Sequence, residues 1–320
     1  MRNFTPNEYN AFKQLASMSQ KTLKKSLTPL LQKAGYNPIE TDSYIYAEGQ
    51  IPVALVAHLD TVFKFPPKEF YYDRELNTIW SPDGLGADDR AGVYGILQII
   101  RSGLRPHIIF TTDEEKGGLG AYDLAGEDCP FENLCYIIEL DRQGSCDCVF
   151  YDCLNVDFIN YVESFGFMKD YGTFSDISIL CPFWEVAGVN LSIGYKNEHS
   201  YSETFNVSHF FSTVNKVKEM LKAENIPNFG YIPAPRNSFW NSLNFSKTKE
   251  EDGVLCALCD WPFYKEELFP VKMNDGSLEY YCPDCIGKVA NFCNMCNDFY
   301  EFDGNESKIC PECRSEINVI

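Results

Sequence analysis

IPVALVAHLDTV, residues 51–62, runs apolar for seven positions and then delivers His58 and Asp60. A run of that kind reads as a strand, and residues just past it sit where an open α/β sheet presents its ligand sites. Four more stretches follow in chain order: GLGADDRAG at 84–92, DEE at 113–115, ELD at 139–141 and EHS at 198–200. Each offers imidazole or carboxylate, the ligands suited to zinc or a similar divalent ion. A histidine and a carboxylate two apart are common by chance, and so is a glutamate pair. Five such elements in this order, most of them ending a strand-like run, are not.

Working outward, residues 6–34 carry Phe12, Leu15, Met18, Leu23, Leu27, Leu30 and Leu31 at helical spacing, closed by Gly35, Asn37 and Pro38. Short strands are expected at 44–47 and 51–57, then a hairpin of 70–72 with 78–80 turned at Leu76–Asn77. A helix is expected from about Asp89 to Arg101, followed by strand 107–112, a short helix at 119–124 and strand 134–140. Strand 149–151, helix 156–165, strand 189–193 and helix 207–223 complete the pattern. Strands alternating with helices predict an α/β fold, a mostly parallel mixed sheet flanked by helices. From 226 to 252 the periodicity stops amid prolines, Asn, Ser and the run KTKEED, which reads as a linker, although Phe229, Tyr231, Phe239 and Trp240 could dock on a neighbour. The division is a catalytic domain over 1–225, a linker over 226–252 and a cysteine module over 253–320.

A hydrolytic two-metal site needs ligands for two adjacent cations and a base that is not itself a ligand. The parts can be counted. His58 and His199 supply imidazole, Asp88 is a candidate bridge, and Glu115 and Asp141 supply terminal carboxylates. Glu114 is left as the base, and Asp60 can accept the second ring proton of His58 and set its tautomer. Each acid also has an ordinary reading alone: Asp88 and Asp89 as a helix cap, Asp141 as part of a turn, Glu114 and Glu115 as a solvated loop. His107 and His209 read as structural, and Glu203 as a residue that supports His199.

HLDTV followed by GADDRAG resembles the tripeptidase-like pattern of the zinc-peptidase superfamily of co-catalytic dinuclear exopeptidases. NEHSYSE (197–203) resembles the end of its single-domain aminopeptidases. The resemblance covers roughly residues 50–222 and implies the phosphorylase/hydrolase-like zinc exopeptidase fold. It implies that His58, Asp88 and Asp141 bind one zinc and that Asp88, Glu115 and His199 bind the other, with Glu114 as general base, Asp60 orienting His58, and a cis peptide after Asp88. One departure bears on substrate choice. Peptidase T-like families carry a lid domain between the last two motifs, and the 58 positions from Asp141 to His199 leave no room for one.

Eight of the 14 cysteines form four Cys-x-x-Cys knuckles: Cys256/Cys259, Cys282/Cys285, Cys293/Cys296 and Cys310/Cys313. The intervals of 22, 7 and 13 residues suit two structural four-cysteine zinc sites in a zinc-ribbon-like module, with sequential pairing favoured over an interleaved one. Four zinc ions per chain are thus expected, two catalytic and two structural. The remaining cysteines (129, 135, 146, 148, 153 and 181) read as buried free thiols. With no secretory signal at the N-terminus, the expected compartment is the cytoplasm.

A net charge of −19 argues against nucleic acid and anionic lipid. Residues 253–320 hold 12 acidic against five basic residues, a balance of −7, so a role in protein contact, oligomerisation or access to the site is expected there. No stretch has the apolar length of a membrane span. The function expected is a zinc-dependent exopeptidase, an aminopeptidase or small-peptide peptidase. An amidohydrolase acting on N-acyl amino acids and a non-catalytic zinc-ribbon adaptor are the alternatives.

Overall fold

The structure is a computed structural model that describes residues 2–233, 254–302 except 260, 261, 264, 266, 267, 294 and 297, and 309–317. It divides into two units at Arg236/Asn237.

The first unit begins with helices α1 (Pro6–Ala16) and α2 (Gln20–Lys33). Thr5 and Glu8 close a capping box on α1, and Ser19 caps α2. Strands β1 (Ile39–Glu40), β2 (Tyr44–Ala47) and β3 (Ile51–His58) follow, then the hairpin β4 (Tyr71–Asp73) and β5 (Thr78–Trp80), and helix α3 (Ala87–Arg101). Next come β6 (Pro106–Thr111), α4 (Leu119–Ala125), β7 (Tyr136–Arg142), β8 (Asp147–Val149), α5 (Val156–Ser164) and β9 (Met168–Lys169). The unit continues through α6 (Asp176–Trp184), β10 (Gly188–Ser192), β11 (Tyr195–Lys196), β12 (Thr204–Asn206) and α7 (Val207–Leu221).

The main sheet has the order β1-β2-β6-β3-β7-β10-β8-β9. Its centre, β6-β3-β7-β10, is parallel, while β2 and β8 join antiparallel. Alternate residues of each central strand feed two cores. Val53, Leu55, Ala57 and Ile138 pack with α1, α2, α3, α5 and α7 on one face. Ala54, Val56, Ile109 and Ile137 pack with α4 and α6 on the other. The four central strands run the same way, so their carboxyl ends share one edge, and His58 and Asp141 both stand there. A Cβ at Gly92 would meet the Leu140 carbonyl at 2.4 Å, so only glycine lets α3 lie this close to β7. A second sheet, β11-β12-β5-β4, is antiparallel and carries the segment after His199.

Two features depart from the sequence reading. Helix α6 was not expected: ISILC is apolar but for Ser178 and Pro182 follows it, so neither helical periodicity nor composition marks it. Residues 226–233, expected as the start of the linker, also pack on the first unit. Phe229 is buried among Tyr136, Phe158 and Tyr161, with ring centroids 5.0–6.0 Å away. Its N–H donates to the Cys135 carbonyl and its carbonyl accepts from Ala187, both at 2.9 Å, and Leu154 N–H donates to Ile232 at 2.7 Å. Residues 226–233 therefore belong to the first unit. Phe229→Ala is expected to cost about 3–5 kcal/mol, the range for a fully buried phenylalanine, read as a lower denaturant midpoint. A change under about 1 kcal/mol would show the strap to be dispensable. Phe239 and Trp240 lie outside the described residues.

The second unit holds β13 (Val254–Leu255), β14 (Pro262–Phe263), β15 (Phe269–Lys272), β16 (Leu278–Tyr281), α8 (Pro283–Val289), β17 (Ala290–Phe292), β18 (Phe299–Glu301) and α9 (Pro311–Ile317). Each of its two helices follows a Cys-Pro pair that places proline at the first helical position, where its missing N–H costs nothing. The halves are not separate ribbons. Strands β15 and β18 pair in parallel and close one sheet of order β16-β15-β18-β17 across both.

Candidate metal centre

His58 ends β3 with its ring completely buried. Its Nδ1 lies 3.2 Å from Asp60 Oδ1, so the carboxylate favours the tautomer with the proton on Nδ1 and leaves Nε2 free to face the centre. Asp60 also accepts the N–H groups of Glu114 and Glu115 at 3.0 and 3.1 Å. One carboxylate thus fixes both the first histidine and the turn after β6 that carries both glutamates. Burial opposes ionisation of Asp60, but His58 and these two N–H groups hold its pKa below the usual range.

Asp88 stands at the head of α3, and the Asp88–Asp89 peptide is cis, as the resemblance implied. Backbone angles at both aspartates are non-helical. Asp89 Oδ1 accepts the Gly92 N–H at 2.8 Å, so the capping reading holds for Asp89 while Asp88 turns into the centre. The two oxygens of Asp88 face different imidazoles: Oδ1 is 2.9 Å from His58 Nε2 and Oδ2 is 3.1 Å from His199 Nε2. Asp141 Oδ1 lies 3.5 Å from His58 Nε2, and Glu115 Oε2 lies 3.0 Å from His199 Nε2. Glu114 Oε2 is 4.0 Å from His58 Nε2. Donor atoms of His58, Asp88 and Asp141 come within 4.8 Å of one another, and so do those of Asp88, Glu115 and His199 and those of His58, Glu114 and Glu115. All seven residues expected at this site stand together.

Several residues escaped the sequence reading. Tyr195 donates its hydroxyl to Asp141 Oδ1 at 3.0 Å, and Asn190 accepts the Asp141 N–H at 2.9 Å and donates to its carbonyl at 2.7 Å. The only signal for Asn190 was a polar residue inside the apolar run of β10. Behind Asp141, Ser175 donates to the buried carboxylate of Glu139, and Thr111 donates to that of Asp176. Glu203 was expected to support His199; instead its carboxylate accepts the N–H groups of Gly86 at 2.6 Å and Asp88 at 3.0 Å. His107 is structural: it accepts the Gly49 N–H at 3.0 Å and stacks on Phe131, and burial lowers its pKa to about 4.

The centre is crowded with negative charge. Burial pushes the Glu114 carboxyl up to about 9, with Asp141, Asp176 and Asp88 adding to the rise against His58. Burial and Asp88 raise Asp141 to about 7, and burial raises Asp176 to about 6. Hydrogen bonds to Asp88 and Glu115 raise His199 to about 11. Buried Glu115 Oε1 has no hydrogen-bond partner among the described residues. Clustered acids, two imidazoles and an unmatched carboxylate oxygen form a donor set that fits divalent cations.

In the second unit the donors group as Cys256, Cys259, Cys282, Cys285 and as Cys293, Cys296, Cys310, Cys313. The pairing is sequential. The Cys282 N–H points to Cys256 Sγ at 3.4 Å and the Cys310 N–H to Cys293 Sγ at 3.3 Å. Burial opposes ionisation, yet such N–H donors lower Cys256 and Cys293 to about 6, favouring the thiolate.

No family model matches the chain, and no curated protein does. Solved structures do. Aminopeptidase PepT from Bacillus cereus is 15% identical with a TM-score of 0.56, over 67% of this chain and 97% of its own. A tripeptidase from Staphylococcus aureus is 14% identical with a TM-score of 0.57, over the same shares. PhTET1-12s, described as a dodecamer, is 14% identical with a TM-score of 0.50, over 65% of this chain and 97% of its own. The chain has the α/β fold that these structures share.

Proposed function

We propose that the first unit is a two-metal exopeptidase, an aminopeptidase or small-peptide peptidase. The observation that carries this reading is Asp88, whose two oxygens face His58 and His199 separately while Asp141 and Glu115 complete the two groups. His58, Asp88 and Asp141 would hold one zinc, and Asp88, Glu115 and His199 the other. Bound there, the ions supply Lewis acidity at the scissile carbonyl and make a water acidic enough to ionise near neutral pH. Without cations Glu114 holds its proton, because burial and the neighbouring acids raise its pKa. Cations bound among those acids would offset their charge and favour its ionised form. Its Oε2 would then take a proton from the attacking water and deliver it to the leaving amine as the C–N bond breaks. Asp60 keeps the His58 ring in one orientation throughout. Between Asp141 and His199 the chain builds β8, α5, β9, α6, β10 and β11 of the same unit, so selection of substrate falls to loops at the sheet edge.

The test is hydrolysis of aminoacyl, tripeptide and N-acyl amino acid substrates by zinc-loaded protein, with and without chelator. Cleavage of free-amine peptides that chelation abolishes is expected. Hydrolysis of N-acyl substrates alone would replace the peptidase with a deacylase, and no hydrolysis at full metal content would leave the adaptor.

The cysteine module is proposed to hold two structural zinc ions and to meet protein, a second copy of the chain included, rather than nucleic acid. One neighbour of the fold is described as a dodecamer in the asymmetric unit, and a homo-oligomer is part of this reading. A unit with so small a core depends on metal to fold. Cys256→Ser is expected to remove one zinc per chain and to expose the module to protease. Full zinc content in that variant would sink the four-thiolate assignment. The cytoplasmic placement rests on the knuckle spacing and free thiols.

A further inference from the structure

Glu203 lies four positions after His199 and is 1% exposed. Its carboxylate accepts the N–H groups of Gly86 and Asp88, and the Ala87 N–H also stabilises its charge. The stretch from His199 to Glu203 therefore grips the GLGADD segment twice. His199 Nε2 meets Asp88 Oδ2 at 3.1 Å, and Glu203 meets the N–H of the same aspartate at 3.0 Å.

The two halves of the centre are supported differently. His58 and Asp141 end strands and are held by Asp60, Tyr195 and Asn190. His199 sits in a loop at φ +60 with its side chain 52% exposed, in a turn where the Ser200 hydroxyl donates to the Asn197 carbonyl at 2.7 Å. Nothing in regular structure sets its distance from Asp88. We propose that Glu203 is a positioning residue for the Asp88–Glu115–His199 half, fixing that distance and so the affinity of this half for its cation, while the His58–Asp88–Asp141 half is indifferent to it. The assignment rests on the two-cation reading above.

Mn2+ suits carboxylate and imidazole rather than thiolate, so it probes this centre without filling the cysteine sites. Full-length protein is treated with a mild chelator that empties the carboxylate–imidazole centre, with two zinc ions retained in the cysteine module. It is then titrated with Mn2+ by calorimetry, with electron paramagnetic resonance reporting a coupled pair. The unsubstituted chain is expected to take up two ions. Glu203→Gln keeps the shape but turns an amide N–H₂ toward backbone donors. One of its two binding steps should weaken about 10–100-fold, the usual cost of losing such an outer partner. The other step should stay unchanged, and the coupled-pair signal should give way to that of a single ion. Glu203→Asp, which keeps the charge but shortens the reach, should weaken the same step alone. Two unchanged steps, or both weakened together with a lower melting temperature of the protein with this centre emptied, would overturn the assignment and make Glu203 a general structural residue. Fewer than two Mn2+ in the unsubstituted chain would instead overturn the two-cation reading and this assignment with it.

Discussion

Glu114→Gln is expected to leave the metal content of the centre unchanged and to cut kcat by about 10²–10⁴-fold, the usual range for a general acid–base group. At 1.36 kcal/mol per tenfold, that is about 3–5 kcal/mol of lost transition-state stabilisation. The separation of effects is expected because Glu114 stands further from His58 than Asp88 and Asp141 do, although it also groups with His58 and Glu115. Glu114 Oε2 lies 4.0 Å from His58 Nε2, the longest of the approaches to that nitrogen, whereas Asp88 and Asp141 come to 2.9 and 3.5 Å. Its backbone N–H, which the substitution leaves intact, carries its link to Asp60. Asp60→Asn supplies the contrast. One of its oxygens becomes an amide that cannot accept, so it no longer holds the His58 ring and both glutamate N–H groups. Metal affinity should then fall about 10–100-fold, and excess metal should partly restore rate. Loss of metal from Glu114→Gln comparable to that from Asp60→Asn would show that base and ligand had been exchanged.

Legibility of the site followed from where its residues stand in the sheet. His58, Glu114, Glu115 and Asp141 follow apolar strands in the sequence, and a strand end is readable because the apolar run stops there. Their common edge follows from parallel pairing of β6, β3, β7 and β10. Asn190, Tyr195, Ser175 and Asp176 carried no such mark. They act through partners 34–65 positions away, such as Ser175 on Asp141 and Thr111 on Asp176, and no local period encodes those distances. Helix α6 shows the same limit. Its Ile177, Ile179, Leu180 and Cys181 pack among α4, β3, β7 and β10, while the apolar Pro182 and Phe183 are exposed. The apolar residues therefore do not mark one face, and the amphipathic signal that reveals α3 or α7 is lost. In the second unit the knuckle spacing forecast two thiolate groups. The parallel seam of β15 with β18 was invisible because neither strand is longer than four residues.

With the cations of the acid centre removed and the zinc of the cysteine module retained, the protein should become less stable as pH rises from about 5.5 to 8.5, and fully metal-loaded protein should not. The sign comes from which groups hold protons in the folded state. Glu114, Asp141 and Asp176 are raised by burial to about 9, 7 and 6, and Glu139 lies well above its ordinary value. Unfolded, all would ionise near 4. His199 is raised to about 11 and His58 also lies above its ordinary value, so both keep protons that the unfolded chain releases near 6.5. The folded state therefore binds more protons across this window, and stability present below the unfolded pKa values drains away as pH climbs through the folded ones. Asp60 and Asp88, both lowered, act oppositely, but their stabilisation fades only on the acid side, below about 4. A cation competes for the same oxygens and nitrogens, so its binding releases protons and tightens with pH. At a free concentration 100 times its Kd, each bound ion adds about 2.7 kcal/mol. The gap in melting temperature between fully metal-loaded protein and protein with the acid centre emptied should thus widen steadily from about pH 5.5 to 8.5. Two parallel curves would mean that the acids of the centre are not what the cations neutralise, and the two-metal reading would lose its electrostatic basis.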